Sequence, residues 1–263
     1  MINLIRADLF KLWRGKAVKI SFLIICVSAT AFTIISRLMA QGKFDTTLSN
    51  QVAGLSDIVM LSIICPFLAG AYICGDFENK TVHDAISFGS GRGKLIVSKA
   101  IVYFLVSGLM MLPYAVATLI GYGTGKEFKA FTASTYLDIL ARESKDMTGS
   151  VIMKIVAVIF CMMIVYIAKL SICVLVAFIL QRSALVVCIG FAVLLLSDLL
   201  IVIGEKIKPL GDLLSLTPLA MGYRVISMDV GADVLVKSVL VSIVYIILML
   251  ALTIRMFKRK EIK

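Results

Sequence analysis

Apolar residues gather along the chain into six long runs separated by polar segments, and each run reaches the roughly 20 residues that an α-helix needs to cross the hydrocarbon core of a bilayer. The runs are Ala17–Ser36, Leu55–Cys74, Ala100–Tyr122, Val151–Leu180, Ala184–Ile203 and Val234–Ile254. The pattern predicts an all-α membrane protein, one transmembrane domain over residues 1–263 with six spans. The first run is too long for the core of a cleavable signal. Its end, Ile34, Ile35, Ser36 and Arg37, lacks the small residues of a cleavage site, so the run is expected to stay in the mature protein.

The polar segments have periodicities of their own. In residues 1–16, Ile2, Ile5, Leu9, Leu12 and Trp13 cluster within an arc of about 100°, while Asn3, Asp8, Lys11 and Arg14 fall elsewhere. This predicts an amphipathic helix lying in the interface, with Ile5, Leu9 and Trp13 toward lipid or the bundle and Lys11 and Arg14 toward water. A plain extension of the first span is the alternative. In residues 75–99, either Phe77, Thr81, Asp84 and Phe88 or Val82, Ala85 and Ile86 share one face of a short helix, and Gly89, Gly91 and Gly93 then turn the chain. Thr135 followed by Asp138 reads as the start of a short outer helix through Ala141. The stretch Gly204–Asp233 is apolar but interrupted by Pro218, and predicts a re-entrant or interfacial helical pair.

Composition agrees with the pattern: 60% of residues are hydrophobic, 16% are charged and mean hydropathy is +1.03. The 27 Lys and Arg exceed the 16 Asp and Glu, and their placement predicts orientation. Fifteen basic residues lie in the segments on the side of the two termini and nine in the other loops, so both termini are expected in the cytoplasm. A basic balance in such a chain points to an anionic lipid surface rather than nucleic acid.

Chemistry is sparse. The six cysteines sit in apolar runs without a CxxC spacing, and the single histidine, His83, has no second histidine to join in a zinc site or a membrane metalloprotease. The glycines of GSGRGK do not make a phosphate loop: five residues before Gly93 stands Phe88, and Lys94 is followed by Leu95 rather than Ser or Thr. The chain is therefore expected to hold no catalytic, cofactor or metal site of its own. Charges within the spans are functional candidates by default. Taking Arg182 as the inner surface, Lys169 and Asp198 lie about 20 Å and 24 Å up consecutive helices, which predicts a buried ion pair between the fourth and fifth spans. Asp57 and Lys237 read as outer-interface residues.

Six spans, an amphipathic helix before the first, and the loop DFENKTVHDAISFGSGRGKLIVSK after the second together resemble the ABC-2 type permeases. The resemblance covers nearly the whole chain and implies the type II ABC exporter fold. It implies that residues 76–88 form a cytoplasmic coupling helix docking into a separate ATP-binding subunit. The residues it assigns to docking are Asp76, Phe77, Glu78, Lys80, Thr81, His83, Asp84 and Phe88, with Phe77, Glu78, Lys80 and Thr81 foremost. ATP and Mg would be bound by that partner. A second permease, identical or a sister chain, would complete a twofold transporter in a bacterial cell membrane. Chains of this size resemble the permeases of Gram-positive bacteria that serve bacteriocin immunity or export amphipathic peptides such as phenol-soluble modulins. Exporters of lipids, drugs or ions share the scaffold, and a membrane sensor or assembly protein that transports nothing is the reading from a different class.

Overall fold

Helices begin and end where charge and glycine interrupt the apolar runs, although seldom at the first polar residue. The computed structural model describes residues 2–43, 49–89, 91–132, 134–142, 149–206, 217–219 and 231–259, and every long element among them is a helix. In chain order they are α1 (Ile2–Arg14), α2 (Lys16–Ala40), α3 (Asp57–Glu78), α4 (Thr81–Ser87), α5 (Arg92–Gly123), α6 (Thr135–Arg142), α7 (Gly149–Leu180), α8 (Ser183–Lys206) and α9 (Ala232–Arg259). A short helical turn over 49–55 precedes α3.

Five stretches are long and apolar enough to cross a membrane: Lys16–Ala40, Asp57–Glu78, Arg92–Gly123, Val151–Leu180 and Ala232–Arg259. The chain is thus an all-α, multi-pass membrane protein. The remaining expected span corresponds to α8, 24 residues long, whose described apolar stretch Ser183–Ser197 is shorter than the other five. Most of the expected outer re-entrant segment lies outside the described residues.

Two boundaries differ from the apolar pattern for a shared reason. The third span was placed from Ala100, but α5 begins at Arg92, and α3 runs past Cys74 to Glu78. Hydropathy marks where a helix enters lipid, whereas a helix continues while its backbone bonds are made and its polar side chains find partners. Lys99 and Asp76, in the added turns, are such partners. Gly93, expected in the turn, lies in the first turn of α5; the chain reverses instead at Gly89, whose φ of +86° suits glycine, and at Gly91, the residue before α5.

The bundle packs α7 against α9 along their length, α3 against α8, and α2 against α5, with α1 lying across α5. Small residues let α3 and α8 approach closely, as helices in lipid require. A Cβ on Gly70 would stand 2.9 Å from the carbonyl oxygen of Ser183, and one on Gly190 would stand 2.9 Å from Cβ of Pro66. Gly70–Cys74 forms a widened π turn within α3, which rotates the residues that follow relative to a regular α-helix.

At the opposite end of α3, Asp57 is fully buried within the protein. Its carboxylate accepts from the Ser134 hydroxyl at 2.5 Å and from the Thr135 backbone N–H at 3.1 Å, so it sits at the positive N-terminal end of α6. Ser134, rather than Thr135, caps that helix by accepting from the N–H of Leu137 at 3.2 Å.

Candidate functional site

The densest set of polar contacts lies where α1, the end of α3, α4, the start of α5, the α7–α8 turn and the end of α9 meet. Asp76 organises it. Lys99 of α5 donates to one of its carboxylate oxygens and Lys11 of α1 to the other. Lys99 also stands 3.7 Å from Asp8 and lies 4.6 Å from the ring centroid of Tyr72, whose hydroxyl donates to Asp8 at 2.8 Å. Two acids and two amines thus balance in one cluster, which is what permits Lys99 and Asp76 to be buried at all.

The cluster draws in Asp76 and Lys11, two residues singled out from the sequence. Asp76 was assigned to docking, yet it is buried and committed to contacts within the chain. Lys11, expected toward water, is exposed, and its amine also donates to Asp76, because a buried carboxylate held by a second cation is cheaper than one left to a single partner. The face of α1 on the bundle is accordingly Ile5, Asp8, Leu9 and Leu12, at helical spacing. Trp13, 68% exposed, points away from it together with Ile2 and Phe10, and Arg14 lies over the Phe10 ring at 4.9 Å.

Phe77 is buried as well. It meets Phe178 of α7 edge-on at 5.5 Å and Phe257 of α9 at 5.9 Å, and those two rings meet at 5.3 Å, so three helices are joined by one aromatic cluster. Glu78 is exposed, but its carboxylate accepts from the backbone N–H of Ser183 at 2.9 Å and from its hydroxyl at 2.8 Å, at the N-terminus of α8. Asp76, Phe77 and Glu78 therefore fix the end of α3 to five other helices.

Beyond Glu78 the chain turns outward. Lys80 adopts a left-handed conformation, φ +58°, which ends α3 and starts α4 in a new direction. The Thr81 hydroxyl donates to the Asp76 carbonyl at 3.0 Å, tying α4 to the end of α3. Val82 is buried beneath α4, with Ala85 and Ile86 packed beside it, while Thr81, Asp84 and Phe88 form the opposite, exposed ridge at spacings of three and four. His83 is half-buried between the two faces. Phe88, 90% exposed, is the most exposed of the large hydrophobic side chains described.

Lys169 is buried between α3 and α8, beside a cavity of about 10 Å³ lined by Leu61, Ser62, Tyr166, Leu170 and Leu194. Its amine lies 5.9 Å from the Tyr166 ring centroid. Asp198 lies on α8, and its side chain, with the expected ion pair, lies outside the described residues.

The residues missed from the sequence are Asp8, Tyr72, Lys99 and Ser183. The signal that could have found Lys99 is a charge within a turn of a span's end, opposite Asp76 at the end of the neighbouring span. No family model matches the chain, and no curated protein matches it.

Proposed function

We propose that the chain is the permease subunit of an ATP-driven exporter of the ABC-2 type, with six spans and both termini in the cytoplasm of a bacterial cell. The reading rests first on α4: a short helix between two spans, anchored at its root and carrying an exposed ridge of Thr81, Asp84 and Phe88. A solvated loop has no need of a bare phenylalanine on a braced helix, whereas a lever that receives force from another protein needs both a contact residue and a rigid mount.

Asp76, Phe77 and Glu78 supply the mount, and Lys80, Thr81, Asp84 and Phe88 supply the contact. Docking is thereby assigned to the exposed half of the segment. Force on α4 reaches α3 and α5 through Asp76 and Lys99, α7 and α9 through the aromatic cluster, and α8 through Ser183. ATP and Mg belong to the partner, since the chain carries no phosphate loop. The basic excess on the side of the termini supports the orientation, and the resemblance of the chain supports a hydrophobic or amphipathic peptide as cargo and a second permease as neighbour.

Copurification tests the proposal. Tagged wild-type chain from its native membrane should bring with it an ATP-hydrolysing subunit whose activity rises on assembly. Phe88→Ala with Asp84→Lys should lower the yield of that subunit about tenfold while leaving the melting temperature unchanged. A wild-type chain that purifies without any such subunit would refute the proposal.

A further inference from the structure

The last turns of α7 and α9 leave a groove of about 260 Å³ between them, walled by Phe178, Ile179, Thr253, Met256 and Phe257, with Arg259 at its rim. Phe178 and Phe257 are buried and form its floor, meeting edge-on at 5.3 Å. Thr253 is buried and its hydroxyl donates to the Met249 carbonyl at 2.7 Å, so the wall offers a guest mostly apolar surface. None of the lining residues is a carboxylate.

Charge and apolar surface are arranged in order along α9. Arg255 and Arg259 are exposed and one turn apart, which puts their guanidinium groups on one face beside Met256. Away from them, Met256, Leu252 and Leu248 continue as an exposed apolar line at spacings of four, about 12 Å of helix. A guest complementary to this surface has an anionic end for two guanidinium groups and a hydrocarbon tail that runs from the groove into the membrane. Guanidinium pairs suit phosphate oxygens especially, by their forked donors.

We infer that the groove between the terminal turns of α7 and α9 binds an anionic phospholipid, its phosphate on Arg255 and Arg259 and an acyl chain along Phe178, Met256 and Leu252. The inference needs only that the chain spans a membrane and is independent of what it exports. A soluble protein would account for the arginines but not for the apolar line that leads away from them. The floor of the groove includes the rings that hold Phe77, so a bound lipid would brace the same aromatic cluster that mounts α4.

The test is lipid binding by the full chain in a neutral maltoside detergent, read by native mass spectrometry, with phosphatidylglycerol and phosphatidylcholine as probes. Phosphatidylglycerol is expected to bind with preference. Arg255→Gln with Arg259→Gln should weaken it by roughly tenfold or more, and Met256→Trp, which fills the groove and keeps both charges, should weaken it to a similar degree. Lys16→Gln with Lys19→Gln removes the same charge from exposed positions on α2 and should change binding less than threefold. Inorganic phosphate at equal concentration should not compete. Equal losses from the two charge-removing pairs, unchanged binding by Met256→Trp, no preference over phosphatidylcholine, or displacement by free phosphate would each overturn the inference. So would a groove found covered by a second copy of the chain or by another protein.

Discussion

Lys99 donates to Asp76 across the interface of α5 and α3, and both side chains are all but removed from solvent there. Lys11 reaches the remaining oxygen of Asp76 from α1, 65 residues away in the chain. The amphipathic helix is therefore held to the bundle by charge on its inner face as well as by Ile5, Leu9 and Leu12. Asp76→Asn leaves Lys99 buried with a weakened partner set and should cost about 3–5 kcal/mol. Replacing both by apolar residues of similar volume, Asp76→Leu with Lys99→Met, should recover much of the loss in a thermal melt. Additive losses in the double variant would show that the two do not act as a pair.

Phe77 and Phe88 have the same chemistry and opposite surroundings. Phe77→Ala opens a cavity in the three-ring cluster and should destabilise the protein by about 3–5 kcal/mol. Phe88→Ala, at an exposed site, should stay within about 0.5 kcal/mol. Melting in detergent separates them, and any loss of partner binding by Phe77→Ala should follow its loss of folded protein.

The glycines divide in the same way. Gly70→Ala drives a methyl group against the backbone oxygen of Ser183, which has no rotamer to escape into, and should cost about 1–3 kcal/mol. Gly93→Ala meets nothing within 4 Å in the first turn of α5 and should stabilise by about 0.5–1 kcal/mol. Opposite signs in the two melts are the expected result.

Asp57 predicts an effect at the far end of the bundle. Asp57→Ala removes the acceptor for Ser134 and Thr135, so α6 should detach and become open to protease at Arg142, while the contacts of Asp76 are unchanged. Protection at Arg142 equal to that of the wild type would show that α6 is held by its apolar face alone.

Much of this architecture was legible in the pattern of apolar residues: five of the expected spans, the short helix with Val82, Ala85 and Ile86 on one face, and the outer helix beginning near Thr135. What hydropathy cannot carry is which polar groups meet. It ranks each residue by transfer from water to lipid, and by that measure Asp57, Asp76 and Lys99 belong at surfaces. Their burial is decided by partners 77, 65 and 23 residues away in sequence. Trp13 shows the converse. Its arc on α1 is apolar, but the helix turns Ile5 and Leu9 inward because Asp8 and Lys11 must reach the cluster, and Trp13 is left facing outward.

Photo-crosslinking from position 88 in the native membrane tests the account most directly. A photoreactive residue in place of Phe88 should capture an ATP-hydrolysing subunit, and the same residue at buried Val82 should capture this chain alone. Capture of lipid or of nothing from position 88, in a chain that still folds, would contradict the assignment of α4 as the docking helix.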